Sequence, residues 1–487
     1  MKEEAQPLEA PVGIFWLRLD LRLADNPALL AATADSARLV PLYIWSPTEE
    51  GAWAPGAASR WWLHQSLSQL DKDLQQYGAR LIVRTGDSLT VLREVVKETG
   101  AQSVFWSRRH EPLAAARDAA VKAALQRDGV AVETFNSSLL FEPSQIRNKE
   151  GNAFRVFTPF WNNCLLTPEP AGPAAKPKTI TLPAKPIKSM PLESLNLEPK
   201  IDWAGGMRSC WTPGEQGAQA RLGQFTSSAV MNYQNGRDRP DQDGVSMISP
   251  HLHFGEISPR QIWHAVRDLR PLGAQRQSAD TYLRELGWRE FAHHILYHFP
   301  GTTDNPLRTQ FENFPWSGPP ADLRRWQEGT TGYPIVDAGM RQLWHTGWMH
   351  NRVRMIVASF LTKDLLISWN EGSRWFWDTL VDADLASNTL GWQWAAGCGA
   401  DAAPYFRIFN PELQGEKFDP DGIYVKHWVP ELEKLPAKWI HKPWKAPPLE
   451  LLAAGILLGD TYPTPVVDHS MARQRALASL AQVKGVK

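Results

Sequence analysis

The hydrophobic pattern changes period once along this chain, and that change constrains its fold more than any single residue does. Short apolar runs at 12–17, 39–45, 80–83, 103–106 and 130–135 alternate with helical stretches at 28–33, 60–76, 89–99 and 114–127. Short apolar runs set between helical segments read as strands buried on both faces. Strands that alternate with helices build βαβ units, and hence a Rossmann-like, doubly wound parallel sheet. Sheets of that kind commonly bind a nucleotide-like ligand at the carboxyl ends of their strands. The first strand, however, runs into Arg18-Leu19-Asp20-Leu21-Arg22 and not into a GxGxxG turn, so the dinucleotide fingerprint is absent. Residues 167–201 then carry eight prolines. With φ fixed and no N–H to donate, such a stretch makes neither helix nor central strand and reads as an extended connection. From about Gln216 onward the period is near 3.6. Leu283, Leu286, Phe291 and Ile295 mark one helix; Val336, Met340, Leu343 and Trp344 a second; Val353, Ile356, Val357 and Phe360 a third. The expected organisation is an α/β domain over 10–140, a Pro-rich linker over 141–215 and an all-α domain over 216–487.

Composition removes several function classes. Lys+Arg and Asp+Glu both number 52, so any nucleic-acid surface must be a local basic rim and not a general basic coat. Three cysteines (Cys164, Cys210, Cys398) are too few and too scattered for a disulfide framework or a CxxC metal site. No stretch approaches 18 consecutive apolar residues and residues 1–9 are polar, so a soluble, cytoplasmic protein is expected, with no membrane role. The outlying number is tryptophan, at 23 of 487 residues.

Ten of those tryptophans lie between residues 281 and 400, and eight of the 13 histidines between 251 and 350. In Glu285-Leu286-Gly287-Trp288-Arg289, the acid, the indole and the guanidinium stand at i, i+3 and i+4 on one helical face. Such a face could hydrogen-bond, stack on and neutralise parts of a nucleotide. It could equally be an amphipathic helix with an internal Glu–Arg pair. In Trp348-Met349-His350-Asn351-Arg352-Val353-Arg354-Met355 the two arginines diverge, so one could bind phosphate outside and the other something buried. The run from Asp382 to Trp394 combines two acids, an amide and two indoles, and Asp384, Ser387 and Asn388 there could also be a helix cap. No histidine accompanies these carboxylates at ligand spacing, so no metal is expected. No P-loop is present, and Cys398 has no identifiable base. Spacing alone thus yields an aromatic-rich helical pocket with paired acid and arginine groups, and names no reaction.

Longer motifs do. Gly332-Tyr333-Pro334-Ile335-Val336-Asp337, residues 348–354, residues 382–394 and Ala402-Ala403-Pro404-Tyr405-Phe406-Arg407-Ile408-Phe409-Asn410-Pro411 resemble the photolyase/cryptochrome flavoprotein family. Residues 17–27, Ser249-Pro250-His251-Leu252-His253-Phe254-Gly255-Glu256 and Gln414-Gly415-Glu416-Lys417-Phe418 continue the similarity, which spans residues 12 to about 450. The resemblance implies light-driven DNA repair. An α/β domain holds or abuts an antenna chromophore and a helical domain binds FAD. Excited, reduced FAD donates an electron to a cyclobutane pyrimidine dimer, which splits and returns it. The dimer is turned out of the duplex into the pocket. UV-damaged DNA, single- or double-stranded, is the implied partner, and a monomer is expected.

Carried over by position, the resemblance puts Tyr233, Val245, Ser246, Met247, Ile248 and Ser249 near the FAD phosphates. It puts Arg289, Trp348, Arg354, Asp382, Ala383, Asp384 and Asn388 around the flavin, with Arg354 and Asp382 as a buried pair and Asn388 facing flavin N5. Glu285, Trp288, Asn351, Arg352, Met355, Trp394 and Gln414 match lesion and DNA contacts. Trp392, Trp369 and Trp316, in that order outward, match an electron-transfer chain.

Asn351 and Met355 stand where the branch repairing (6-4) photoproducts carries histidines, and Asn388 where plant cryptochromes usually carry Asp. Repair is therefore expected over the alternative of a cryptochrome-type blue-light receptor. Residues 251–256 and Trp106-Ser107-Arg108-Arg109-His110-Glu111-Pro112 look most like the class III cyclobutane dimer photolyases. Val245 replaces the Thr that often opens the phosphate motif, and Leu113 and Ala114 replace the Asn-Glu folate pair of class I enzymes. Methenyltetrahydrofolate is the antenna the class III likeness implies, in a different arrangement, with a deazaflavin as the alternative.

Overall fold

The structure, a computed structural model, describes residues 10–485; the polar start at residues 1–9 lies outside them. Five strands, β1 (Val12–Leu17), β2 (Arg38–Trp45), β3 (Ile82–Thr85), β4 (Ser103–Ser107) and β5 (Ala131–Phe135), form one parallel sheet in the order β3-β2-β1-β4-β5. Helices α1 (Pro27–Asp35), α2 (Ala57–Gln75), α3 (Ser88–Thr99) and α4 (Pro112–Arg127) make the crossovers. This is the doubly wound α/β fold expected from the alternation. The expected strand at 80–83 begins two residues later. The Leu81 N–H is taken by the Asp71 carboxylate at 2.7 Å, and the ladder instead runs on through Arg84 and Thr85, which pair with Ile44 and Trp45.

The carboxyl ends of β1 and β4 are filled by the protein's own charges. Arg18 donates to Asp118 at 2.7 Å, while Arg109 bridges Glu50 (2.7 Å) and Glu111 (2.9 Å). Burial raises the Glu111 pKa, but Arg109 outweighs it and brings it down to about 2.

The Pro-rich segment is extended except for a 3-10 turn at Leu192–Leu195, and lies against this domain. Leu39 N–H donates to Thr181 at 2.8 Å, and Met190 N–H donates to Val83 on the edge strand at 3.0 Å. Among the described residues it leads, apart from one isolated bridge between Leu458 and Tyr462, into helices. Those that matter for the site are α5 (Gly273–His298), α6 (Pro320–Glu328), α7 (Pro334–Thr346), α8 (Asn351–Ser359), α9 (Trp369–Thr379), α10 (Leu385–Ala396), α11 (Pro411–Phe418) and α12 (Ile423–Trp428). A π-helical turn at Phe360–Asp364 follows α8. Trp344, expected on the buried face of α7, is 61% exposed; Val336, Met340 and Leu343 carry that face. Among the described residues no helix is long and apolar enough to cross a membrane.

Two of the quoted motifs meet where the α/β and helical parts join. Leu21 N–H donates to Phe254 O at 3.1 Å, and the buried Arg22 donates to Gly255 O at 2.9 Å. Gly255 has φ +64°, and a Cβ there would sit 2.2 Å from Leu19 O, so only glycine fits this crossing. Glu256 closes the joint: it accepts from Trp62 Nε1 at 2.9 Å and hydrogen-bonds His251 Nδ1 at 2.5 Å.

Candidate functional site

A cavity of about 540 Å3 opens in the helical domain, walled by α5, α8, α9, α10 and residues 245–249. Its size falls in the range of roughly 300–1,000 Å3 found for cofactor and small-molecule sites.

Helix α5 crosses one wall and presents Glu285, Trp288 and Arg289 to the cavity together. The internal Glu285–Arg289 pair allowed by their spacing does not form. Arg289 donates instead to Ser138 O at 2.6 Å, across to the segment after β5. Glu285 accepts from Arg237 at 2.6 Å, and burial raises its pKa despite that guanidinium. Trp288 stacks on Phe157 with centroids 3.8 Å apart and rings 7° from parallel, which fixes the plane it offers.

Helix α8 starts at His350, whose Nδ1 accepts from Arg352 N–H at 3.2 Å and caps it. From this helix Asn351, Arg354 and Met355 line the cavity. The two arginines diverge as expected: Arg352 turns out to Asp238 at 2.8 Å, and Arg354 turns in to Asp382 at 2.8 Å. Asp382 also accepts from the Ser249 hydroxyl at 2.6 Å, and Trp348 Nε1 donates to that same hydroxyl at 3.2 Å. Ser249 thus links Trp348 to the Asp382 carboxylate. Tyr233, Val245, Ser246, Met247, Ile248, Trp348 and Ala383 line the cavity with it. Met247 holds φ +50°, a strained value for a side-chain-bearing residue, at the turn that brings Ser246 to the wall.

Helix α10 is capped by Asp384, which accepts from Ser387 N–H at 2.7 Å. The cap aims Asn388, Trp392 and Trp394 into the cavity. Asn388 Nδ2 donates to Ser373 O and Oγ, both at 3.0 Å, which fixes the amide; its buried Oδ1 has no partner. An unpartnered buried carbonyl is expensive unless a ligand N–H meets it. Beside it, Gly372 admits the Trp392 ring, since a Cβ there would fall 2.1 Å from Trp392 Cη2.

Five expected site residues do not line this cavity. Asp384 lies behind the wall, 3.4 Å from His293 Nε2. Burial raises the Asp384 pKa, yet His293 outweighs it and holds the carboxyl well below its ordinary value. Burial lowers the His293 pKa, and Asp384 in turn lifts it above the ordinary value. Arg352 sits over Phe418, 4.4 Å from the ring centroid, and Gln414 on α11 is half-buried nearby. Trp369 and Trp316 belong to the same core cluster as Trp392. Trp392 and Trp369 are each 2% exposed, whereas Trp316 is half-buried at the edge of the same core cluster. The Trp316 segment is tied to the α9 approach by Ser317 N–H donating to Leu366 O at 3.1 Å. Sequence reasoning missed Arg237, Tyr282, Phe376 and His293. The face of α5 that carries Glu285 and Arg289 extends by helical spacing to Tyr282 and His293, but Arg237 has no local signal.

The cavity therefore offers two ion pairs, Arg237–Glu285 and Arg354–Asp382, one locked amide acceptor and several indole and phenyl faces. No cluster of metal-ligating side chains occurs among the described residues. A large planar ring with an N–H edge satisfies the Asn388 oxygen and the aromatic walls, and FAD fits those groups.

Comparison with known proteins agrees. Residues 282–482 match the family described as the FAD binding domain of DNA photolyase, and residues 13–178 the one described as DNA photolyase. The chain is 50% identical over 476 residues to a deoxyribodipyrimidine photo-lyase of Agrobacterium fabrum, covering 98% of each. It is 40% identical to cryptochrome-1 of Arabidopsis thaliana, covering 97% of this chain and 70% of that one. The crystal structure of a bacterial class III photolyase from Agrobacterium tumefaciens superposes with a TM-score of 0.95 at 49% identity, covering 99% of both chains.

Proposed function

The chain belongs to the photolyase/cryptochrome family, and from that premise we propose that its cavity holds FAD against a cyclobutane pyrimidine dimer in UV-damaged DNA, making it a light-driven deoxyribodipyrimidine photo-lyase. When bound and reduced, FAD supplies the photoexcited electron that opens the cyclobutane ring and takes it back afterwards. The chain's own residues bind, orient and exclude water.

Asn388 carries this reading. Its Nδ2 is pinned by Ser373, so the amide cannot flip, and its free Oδ1 accepts a ring N–H without adding charge. The Arg354–Asp382 pair sits at the same wall and stays paired, because separating it would leave a buried charge uncompensated. Ser249 and Trp348 hold the Asp382 carboxylate in place.

On the lesion side, Trp288 and Trp394 pack against the dimer, and Met355 and Asn351 complete that wall with thioether and amide. Glu285 hydrogen-bonds a pyrimidine edge, and Arg237 holds its carboxyl in place at 2.6 Å while offsetting only part of the upward pull of burial on its pKa. Arg352 and Gln414 lie outside the cavity, where a DNA backbone passes. With 52 basic and 52 acidic residues overall, DNA affinity rests on such local contacts and falls with salt. The protein acts as a monomer on single- or double-stranded substrate. Trp392, Trp369 and Trp316 pass electrons inward from the surface, and methenyltetrahydrofolate serves as antenna.

The test sets repair against signalling and against (6-4) chemistry. Oligonucleotides carrying one cyclobutane dimer or one (6-4) photoproduct are illuminated with the reduced protein. Only the cyclobutane dimer should revert. Reversion of the (6-4) lesion, or a light-dependent change of oligomeric state without repair, would count against this assignment.

A further inference from the structure

A lysine lies buried in the helical domain and takes no part in the flavin cavity. Lys363 belongs to the π-helical turn that follows α8 and is 1% exposed. An ammonium taken out of water is costly unless hydrogen bonds and opposite charge compensate it. Among the described residues its Nζ donates to one group, the backbone carbonyl of Arg407 at 3.1 Å, and it stands 5.4 Å from the centroid of the Tyr405 ring. A methionine there would fill the same space without that cost. The carbonyl it holds accounts for the ammonium.

Arg407 lies in the loop from α10, whose Trp392 and Trp394 line the flavin cavity, to α11, which carries Gln414. Arg407 N–H closes a turn on Pro404 O at 2.8 Å. That turn presents Phe406, which is 63% exposed, and the Arg407 side chain, exposed and without an ion pair among the described residues. A guanidinium free to meet phosphate, beside a phenyl free to meet a base face, suits a nucleic-acid strand. From Pro404 to Asn410 two hydrogen bonds tie the loop to the body of the domain, and both come from the end of α8. Phe409 N–H donates to Ser359 Oγ at 3.3 Å, and Lys363 takes Arg407 O. Ser359 and Lys363 are four positions apart, about one helical turn, so one face grips the loop twice. The turn under Lys363 is fixed as well: the Asp364 carboxylate meets His469 Nδ1 at 2.5 Å, and its carbonyl accepts from Arg475 at 2.6 Å.

We propose that Lys363 is a positioning residue for dimer binding, holding the Arg407 carbonyl and with it the Phe406 and Arg407 side chains in place for the DNA. The role rests on the repair reading, because the loop tip has no partner without DNA. Burial lowers the Lys363 pKa to about 8, with Asp364 pulling it up and Arg407 down. The other groups that face it are Cys398 at the end of α10 and Tyr405 in the loop, both pushed up by burial, while His469 and Arg475 face Asp364. The charged grip is therefore present at neutral pH and is lost as pH rises through about 8.

Fluorescence anisotropy of FAD-loaded protein, in the dark, with a duplex carrying one cyclobutane dimer reads affinity, and one flash at saturating duplex reads the chemistry. Lys363→Met should raise Kd at least about fivefold, with the fraction repaired per flash at saturation as in the wild type. In a background of Phe406→Ala and Arg407→Ala the same substitution should cost less than about twofold, because the tip it positions is gone. The wild type, whose folding no substitution disturbs, should lose affinity relative to that tip variant between about pH 7 and pH 9.5. Undiminished affinity in Lys363→Met, an equal loss in the tip variant, or parallel pH profiles would overturn the role of Lys363. Wild-type protein that bound no dimer would overturn the repair reading together with it.

Discussion

Replacing Arg354 by methionine would leave the Asp382 carboxylate in the cavity wall with only the Ser249 hydroxyl donating to it, at 2.6 Å. Arg354 now supplies two N–H···O contacts to that carboxylate, at 3.1 and 2.8 Å, and its Nε donates to Met349 O at 2.8 Å. Removing one partner of a buried pair costs about 3–5 kcal/mol, much of it from the charge left behind. The Asp382 side chain is 4% exposed but that of Arg354 is 23%, so solvent screens part of the effect. A loss of ~2–3 kcal/mol is expected, a factor of roughly 30 to 150 in the unfolding constant. Denaturant unfolding of the FAD-loaded protein, followed by tryptophan and by flavin fluorescence, reads it out. Pairing Arg354→Met with Asp382→Asn removes both charges and should restore most of the loss. A loss below about 1 kcal/mol, or simple additivity of the two substitutions, would refute the claim that this pair holds the wall.

Trp392→Phe should slow photoreduction of the flavin while repair by pre-reduced enzyme stays near wild type; an equal collapse of both would remove Trp392 from the electron path. Gly372→Ala would drive a Cβ to within 2.1 Å of the Trp392 ring, so it should perturb photoreduction much as Trp392→Phe does, measured by transient absorption. Trp288→Ala should weaken dimer binding by ~1–3 kcal/mol in a filter or mobility assay, with flavin content unchanged; flavin loss instead would assign Trp288 to the cofactor. For His293→Gln the sign follows from the Asp384 contact. The raised histidine stabilises fully below about pH 6.5 and loses that as pH rises through its folded value, while the lowered aspartate stabilises above about pH 4 and loses that as pH falls. The melting deficit of His293→Gln should therefore peak between those limits and shrink on both sides; a pH-independent deficit would mean that packing, not charge, is lost.

The period change near residue 200 made both layers of the fold legible, because buried parallel strands and helical stripes leave different spacings. The α5 face was legible in part: Glu285, Trp288 and Arg289 do reach one cavity. Their partners were not. Glu285 meets Arg237 from 48 positions earlier in the chain, and Arg289 meets Ser138 O from 151 earlier, and no periodicity encodes such pairings. The same limit applies to Asp384, which reads as a helix cap and is one, but whose second partner, His293, lies on another helix. Trp344 shows the converse: helical spacing placed it on a buried stripe, yet it is 61% exposed and stacks on Trp375.

Light-driven splitting of cyclobutane dimers in this cavity can be read from single-turnover repair. Reduced, FAD-loaded protein is mixed with UV-irradiated oligothymidylate in the dark and then given one flash of blue light, and the recovery of thymine absorbance near 260 nm is followed. No recovery is expected in the dark, and a light-dependent recovery is expected on the flash. No recovery with fully reduced cofactor and bound substrate would contradict it.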